Sequence, residues 1–186
     1  MYKICVTNRK LVSGDFLSQI ERVLAQKPYA LILREKDLSE AEYEKLAGQV
    51  KTLCDGGDML LVLHSFPEVA KRLGVDSLHM PLAAFLEMSE EDKKCFRRLG
   101  VSTHSVEDAM AAEMHGATYI TAGHVFATDC KKGVPPRGLS FLKAVCDAVS
   151  IPVYAIGGIH ESNMEACAAQ GAAGVCMMSE YMNAAV

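Results

Sequence analysis

Two short turns in the sequence carry residue types that bind an anion. Ala155-Ile156-Gly157-Gly158-Ile159 ends one apolar run with two glycines, and Met177-Met178-Ser179 ends the next run in a similar way. Glycines allow backbone N–H groups to approach a phosphate closely, and a following helix adds its positive end. The alternative is a pair of tight turns that need glycine for conformation alone. Because the turns fall in consecutive units, we favour a phosphate site.

The longest loop, residues 123–138, contains a histidine, a thiol and several cations. His124 follows a glycine at the end of an apolar run, where its imidazole could titrate near neutrality and act as an acid or base. Loops of this length in compact proteins are often lids or binding loops. A solvated basic turn is the alternative for Lys131 and Lys132, and an ordinary buried thiol for Cys130.

A third group of polar residues is the tetrad Arg34-Glu35-Lys36-Asp37, whose charges alternate. Most charge clusters are self-neutralising surface turns. Near a phosphate site, however, either cation could hold an anionic ligand. His79 and His104 are weaker candidates, for which we favour a core or supporting role over catalysis.

The elements that must position these residues form eight repeated strand–helix units. Short apolar runs, each followed by a segment of helical periodicity, indicate a buried parallel sheet. The predicted strands cover residues 3–7, 30–34, 59–63, 77–80, 101–103, 119–122, 153–156 and 174–177. Active sites of such proteins lie in the loops that leave the carboxyl ends of the strands, which is where the three groups fall.

Capping signals delimit the predicted helices. Helices are predicted over residues 39–54 and 106–115, and both Ser39 with Glu42 and Ser105 with Asp108 have the spacing of a capping box. Glycines 74, 116 and 171 are predicted to end helices. The fourth and eighth helices have weak signals. The prediction is a compact α/β protein, a single (β/α)8 TIM barrel over residues 1–186 with short fourth and eighth helices; an open doubly wound sheet is the alternative.

Composition narrows the classes of partner. A formal charge of −4 and a sequence pI of about 5.9 predict no nucleic-acid partner, and no apolar run is long enough to span a membrane. Seven cysteines without a CxxC pair favour a reducing, cytoplasmic location. A small-molecule partner is therefore expected. Short fourth and eighth helices leave room for a homodimer.

In this order the motifs resemble the thiamin phosphate synthase superfamily of barrels, over nearly the whole chain. The matching segments are Leu33-Arg34-Glu35-Lys36-Asp37, Gly100-Val101-Ser102-Thr103-His104-Ser105, Phe126-Ala127-Thr128, Ala155-Ile156-Gly157-Gly158-Ile159 with Asn163, and Gly171-Ala172-Ala173-Gly174-Val175. The synthase joins a pyrimidine diphosphate to a thiazole phosphate with magnesium.

Several synthase positions differ in this chain. The Asn-Asp pair after strand three appears as His64-Ser65, and the His-x-Gly-Gln-x-Asp segment after strand four ends in Ala84. Ile32 stands where the synthase has glutamine. Because both acidic magnesium ligands are missing, we expect no metal and regard transferase activity as doubtful.

The loop after strand six instead resembles the TenI branch, the thiazole tautomerases. This resemblance implies a cofactor-independent isomerase that aromatises a dihydrothiazole carboxylate phosphate by a proton shift, with His124 as the catalytic base. Its partner would be a phosphorylated thiazole. By the same resemblance the phosphate is held by Gly157, Gly158, Met178 and Ser179, and Ser102, Thr128 and Lys131 are predicted to lie near the substrate. Arg34 and Lys36, which hold the diphosphate in the synthase, are predicted substrate-binding residues that either face the substrate carboxylate or remain as relics of the synthase.

Two alternatives to the tautomerase remain open at this stage. The first is a divergent thiamin phosphate synthase that takes metal ligands from elsewhere in the chain. The second is a non-catalytic regulatory or ligand-binding protein of the TenI type that keeps the barrel and the phosphate pocket.

Overall fold

The computed structural model describes residues 1–57, 59–128 and 133–183. Eight parallel strands form a closed barrel in sequence order, from β1 to β8, as the sequence predicts. The strands are β1 (Tyr2–Val6), β2 (Ala30–Leu33), β3 (Leu60–His64), β4 (Ser77–Pro81), β5 (Arg98–Thr103), β6 (Tyr119–Gly123), β7 (Val153–Ile156) and β8 (Gly174–Met177). The ring closes where β1 pairs with β8, with Tyr2 opposite Gly174 and Cys5 opposite Met177.

The predicted strands differ from the observed ones mainly at β5. It begins at Arg98, three residues before the predicted start at Val101. Neither Arg98 nor Gly100 is a typical strand residue, which is why the apolar pattern misses them. Position 100 of β5 needs glycine, because a Cβ atom there would stand 2.0 Å from Cζ of Tyr119. The aromatic ring therefore takes the space that a side chain would need.

Helices cover the outside of the barrel. In chain order they are α1 (Phe16–Ala25), α2 (Glu40–Cys54), α3 (Pro67–Leu73), α4 (Leu82–Leu86), α5 (Glu90–Lys94), α6 (Val106–Met114), α7 (Gly138–Ala148), α8 (Met164–Ala168) and α9 (Ser179–Met182). The connection after β4 contains two five-residue helices, and α9 has four residues. The prediction that the helices after β4 and after β8 are short is therefore confirmed.

The predicted caps are present, with one difference. Ser39 and Glu42 form a reciprocal capping box at the start of α2. At α6, Ser105 accepts from the backbone N–H of Asp108, but the Asp108 carboxylate accepts from the N–H of His104 at 2.8 Å. The second box is thus displaced by one residue, and Asp108 is drawn toward the loop after β5. The three predicted helix-ending glycines all have positive φ.

The apolar core has two parts. The larger cluster fills the space between strands and helices, whereas the smaller one lies inside the barrel and includes Ile4, Ile32, Val62, Tyr119 and Cys176. Packing inside the barrel separates its two ends. Over the described ranges, no helix is both long enough and apolar enough to cross a membrane.

A buried tyrosine ties α2 to the sheet beneath the predicted site. The Tyr43 hydroxyl donates to the carbonyl of Leu33 at 2.6 Å and accepts from the N–H of His64 at 2.8 Å. Its side chain has no exposed surface. It therefore fixes the carboxyl ends of both β2 and β3.

We expect Tyr43→Phe to lower the free energy of unfolding by about 2 kcal/mol, because it leaves a buried N–H without its acceptor. Urea denaturation measures the change. Tyr181→Phe is the matched control, since Tyr181 is also buried and its hydroxyl has no hydrogen bond in the described ranges. Equal losses in the two variants would contradict a specific role for the Tyr43 hydroxyl.

Candidate functional site

A cavity of about 530 Å³ opens at the carboxyl ends of the strands. This volume suits a small organic ligand. The predicted residues that line it are Arg34, Lys36, Ser102, His124, Thr128, Gly157, Gly158, Met178 and Ser179. Lys131 lies outside the described residues. The structure thus brings nine of the ten predicted residues to one cavity, while their individual roles stay predictions.

The β7 turn is pressed against the loop that leaves β6. A Cβ atom on Gly157 would lie 2.2 Å from Cβ of His124, and one on Gly158 would lie 2.3 Å from the carbonyl oxygen of Ala127. Both glycines also have positive φ, 102° and 65°. Any larger residue would collide with backbone as well as adopt a strained conformation. The turn therefore presents backbone to the cavity rather than side chains.

The expected contribution of a helix end to this turn is small. The helix after β7 begins only at Met164, so its positive end does not adjoin Gly158. Instead, the Asn163 side chain accepts from the N–H of His160 at 3.0 Å and donates to the carbonyl of Gly158 at 2.9 Å. Asn163 thus holds the shape of the turn.

His124 is 4% exposed and lines the cavity directly after the cis peptide bond between Gly123 and His124. Its Nε2–H donates to the carbonyl of Val134 at 3.3 Å. A neutral imidazole with its proton on Nε2 has an acceptor lone pair at Nδ1. Among the described atoms this Nδ1 is buried and has no hydrogen-bond partner. It is suited to accept a hydrogen bond from a ligand.

The loop that carries Arg34 and Lys36 is anchored by a buried carboxylate. Glu35 is 3% exposed and accepts from the Thr7 hydroxyl at 2.7 Å and from the Arg9 backbone at 3.1 Å. The Arg9 guanidinium pairs with both Glu35 and Asp37, and it holds the pKa of Asp37 far below its usual range. Two acidic members of the tetrad are thereby directed to Arg9, away from the cavity that Arg34 lines.

Two histidines form part of the cavity floor. The rings of His64 and His79 stack with centroids 5.7 Å apart. Burial, together with the nearby His79, Arg34 and Lys36, lowers the pKa of His64 to about 2. Burial and Arg34 lower the pKa of His79 to about 3. Both rings are therefore neutral at physiological pH.

Each of these histidines, and His104, makes a hydrogen bond within the described residues, and the supporting roles of His79 and His104 stay predictions. The Ser65 hydroxyl contacts Nδ1 of His64 at 2.6 Å. His79 contacts the Ser102 hydroxyl at 2.8 Å through Nε2. His104 donates from Nδ1 to the carbonyl of Gly123 at 2.8 Å, which fixes the start of the long loop.

The described residues do not fit a magnesium ion at this site. Ser65 and Ala84 occupy the acidic positions of the synthase pattern; neither lines the cavity, and Ala84 packs against the core. Asp108 is the one lining carboxylate in the described ranges, and one of its oxygens already accepts from His104. Within those ranges no group of three or more His, Cys, Asp or Glu side chains is placed to hold a metal. A hard cation would therefore lack oxygen ligands.

Several lining residues were not anticipated from the sequence. They include Asp108 and Thr121 as well as apolar residues such as Ile32, Leu82 and Ile159. Inward alternation along β6 could have identified Thr121, since it lies two residues from Tyr119. Asp108 had no such signal, because its side chain reaches the cavity through a displaced cap.

A closed barrel with a cavity at the carboxyl ends of its strands is an architecture that many enzymes of small molecules share. The family model described as thiamine monophosphate synthase matches residues 3–181. A putative thiamine-phosphate synthase 2 from Aquifex aeolicus is 34% identical over 95% of both chains. The chain belongs to the thiamine monophosphate synthase family, a family of thiamine biosynthesis.

Further relatives support this assignment. The thiamine-phosphate synthase 2 of Streptococcus pneumoniae is 32% identical over 96% of this chain and 86% of its own length. A solved structure described as thiamine phosphate pyrophosphorylase from Pyrococcus furiosus superposes with a TM-score of 0.84 at 26% identity, covering 98% of this chain and 88% of the other. These comparisons do not separate the family's branches, so the TenI assignment stays a prediction.

The expectation of an isomerase with doubtful transferase activity is wrong. The similar proteins are named synthases, which are transferases, and they match this chain over nearly its full length. The isomerase interpretation gave most weight to one loop, part of which lies outside the described residues. The comparisons do not test the catalytic role of His124, which stays a prediction.

The two depressed histidine pKa values predict a pH-dependent stability. In the unfolded chain each imidazole has a pKa of about 6.5, so between that value and the folded pKa only the unfolded state binds the proton. The contribution of each neutral histidine to the free energy of unfolding is therefore fully present above about pH 6.5 and is lost as the pH falls below that value. Each histidine should lower the free energy of unfolding by about 1.4 kcal/mol per pH unit between about pH 6 and pH 4.5.

His64→Asn should remove one of these two contributions, which urea denaturation across this pH range would measure. The control is His160→Asn, since His160 is exposed and does not line the cavity. An unchanged slope in the His64 variant would show that this imidazole is protonated in the folded protein.

Proposed function

We propose that this protein transfers a pyrimidinylmethyl group from a pyrimidine diphosphate to a thiazole phosphate, forming thiamine phosphate and pyrophosphate. The observation that carries the proposal is that two sets of residues suited to bind anions line one cavity. Arg34 and Lys36 follow β2, whereas Gly157 and Gly158 follow β7 and Ser179 follows β8, and all five line the cavity. A reaction that joins two phosphorylated substrates needs two such sites.

The spacing of the two sets suits that reaction. In the barrel order, β1 alone lies between β2, which precedes Arg34, and β8, which precedes Ser179. Neighbouring strands lie about 4.8 Å apart, so the two strand ends are separated by about 10 Å. Two small heterocycles can meet between anionic groups held at that separation.

The chemistry assigned to this chain is neutralisation and positioning. The bond between the methylene carbon and the diphosphate oxygen breaks, and the thiazole nitrogen forms a bond to that carbon. Arg34 and Lys36 compensate the charge that develops on the departing pyrophosphate. Apolar lining residues such as Ile32, Ile156 and Leu82 limit the access of water to the reactive carbon.

His124 contacts a ligand in this proposal without acting as the base of a proton shift. Its unpartnered Nδ1 can accept a hydrogen bond from an amino group on the pyrimidine. Thr128 and Ser102 supply hydroxyl groups on the same cavity. Lys131 and Met178 stay predicted contacts for the thiazole phosphate.

A second candidate function is supported by the substitutions at the acidic positions. Ser65 and Ala84 stand where the synthase pattern has magnesium ligands. A protein that lost these ligands and kept both anion-binding groups could bind the two substrates without joining them, as a ligand sensor does. The two candidates differ in turnover and share their ligands.

The deciding experiment incubates the purified protein with the pyrimidine diphosphate and the thiazole phosphate. Thiamine phosphate is measured by liquid chromatography and pyrophosphate by a coupled assay. The proposal predicts equal amounts of both products. Binding of both substrates without any product would support the sensor instead.

Arg34→Ala should weaken the binding of inorganic pyrophosphate by about 10- to 100-fold, the effect of losing one charge-assisted hydrogen bond of about 1.5–3 kcal/mol. Binding of the thiazole phosphate should change less than about twofold, because Arg34 lies on the other side of the cavity. Isothermal titration calorimetry measures both affinities.

The control for this variant is Arg72→Ala, which removes an exposed arginine that pairs with Glu40 and Glu44 on the outer surface. Its two affinities should match those of the unaltered protein. If Arg34→Ala weakened both ligands equally, the assignment of two separate anion sites would be wrong.

A further inference from the structure

A line of three polar side chains runs through the interior of the barrel toward the cavity. The Tyr119 hydroxyl on β6 lies 3.1 Å from Nδ1 of His79 on β4. Nε2 of the same imidazole lies 2.8 Å from the Ser102 hydroxyl on β5. Tyr119 and His79 are buried, whereas Ser102 is half-buried and lines the cavity. The line therefore connects the inner core with the ligand side.

Gly100 makes this contact between β4 and β6 possible. In the sheet register Gly100 is paired with His79 on one side and with Tyr119 on the other. A Cβ atom there would lie 2.0 Å from the Tyr119 ring. The phenol can therefore cross the intervening strand and reach the imidazole.

The surroundings determine where the protons lie. Burial raises the pKa of Tyr119 well above its ordinary value, so the phenol keeps its proton, and the buried His79 ring is neutral. On its other side Tyr119 borders a small cavity of about 40 Å³ that Arg98 also lines. An arginine offers donors only, so it cannot accept the phenol proton.

These constraints indicate in which direction the hydrogen bonds between the three groups are donated. The hydrogen bond to His79 is the only one that the Tyr119 hydroxyl makes within the described ranges. If the phenol donates to Nδ1, the neutral imidazole carries its proton on Nε2 and donates it to the Ser102 oxygen. The Ser102 proton is then left to point into the cavity.

We propose that Tyr119 is a positioning residue that acts through His79 to make the Ser102 hydroxyl a hydrogen-bond donor to an anionic oxygen of the ligand. The inference rests on the proposed function, because it assumes a phosphorylated ligand. Ser102 and Arg34 line the same cavity, so this donor can reach an anionic oxygen of a ligand bound there. The arrangement selects an oxyanion at this point and disfavours a ligand group that is itself a donor.

The tautomer of His79 shows in which direction the hydrogen bonds are donated, and it can be measured without any ligand. Protein labelled with ¹⁵N in histidine is studied by two-bond ¹H–¹⁵N correlation, with His79→Gln to assign the signals. The expected result is a neutral ring protonated at Nε2, with a smaller population of this tautomer in Tyr119→Phe. Tyr154→Phe is the matched control, because Tyr154 borders the same small cavity and has no described hydrogen bond to a histidine. A ring protonated at Nδ1 in the unaltered protein would overturn the proposal.

A double-mutant cycle tests whether Tyr119 acts through Ser102. Calorimetric titration with inorganic pyrophosphate should show a loss of about threefold to tenfold for Tyr119→Phe, the range for one neutral hydrogen bond. Tyr154→Phe should leave the affinity unchanged. In a Ser102→Ala background, Tyr119→Phe should have no further effect.

Equal losses in the two backgrounds would mean that the phenol supports the fold and does not act on the ligand, which would overturn the proposal. The two measurements also separate this inference from the proposed function. If the unaltered protein failed to bind pyrophosphate, the proposed function would be contradicted, while the tautomer of His79 would still decide the direction of the line.

Discussion

The site depends on the close approach of two backbones. The β7 turn at Gly157 and Gly158 lies so near the loop after β6 that a side chain at either position would overlap His124 or the carbonyl of Ala127. This contact places His124 at the cavity and leaves the turn lined by backbone. A methyl group at either glycine would separate the two segments, and the anion-suited turn and the histidine would move apart together.

The loop after β2, which carries Arg34, is held in place by ion pairs and hydrogen bonds. The buried carboxylate of Glu35 gathers Thr7 and Arg9, and Asp37 adds a second acidic partner for Arg9. The backbone N–H of Arg34 also donates to the Thr7 hydroxyl at 2.9 Å. The loop after β2 is therefore fixed at its base, so that Arg34 is presented to the cavity at little cost in conformational entropy. The acidic residues of the tetrad therefore fix the loop that presents Arg34, which a simple surface turn would not do.

The sequence was sufficient for the barrel because each strand–helix unit carries its own local signal. Apolar runs identified all eight strands, and the paired glycines located one side of the cavity. The start of β5 at Arg98 and the reach of Asp108 into the cavity could not be predicted, since both depend on contacts between residues distant in sequence. Gly100 shows the difficulty most clearly: its importance comes from the Tyr119 ring on the next strand.

The functional interpretation was less successful for a physical reason. Ser65 and Ala84 stand where the synthase pattern has carboxylates, and this difference from the motif led to the expectation of an isomerase. The same motifs had placed Arg34 and Lys36 among the predicted substrate contacts, but the missing carboxylates were given more weight than these cations. Two regions suited to anions on one cavity are what the proposed transfer between two phosphorylated substrates would need, and the similar proteins are named synthases.

Simultaneous binding tests this account most directly. The unaltered protein is titrated calorimetrically with the thiazole phosphate, first alone and then in the presence of saturating inorganic pyrophosphate. Two distinct anion regions predict that the thiazole phosphate binds in both titrations, with an affinity that changes little. Complete competition between the two ligands would show a single anion site and would contradict the account.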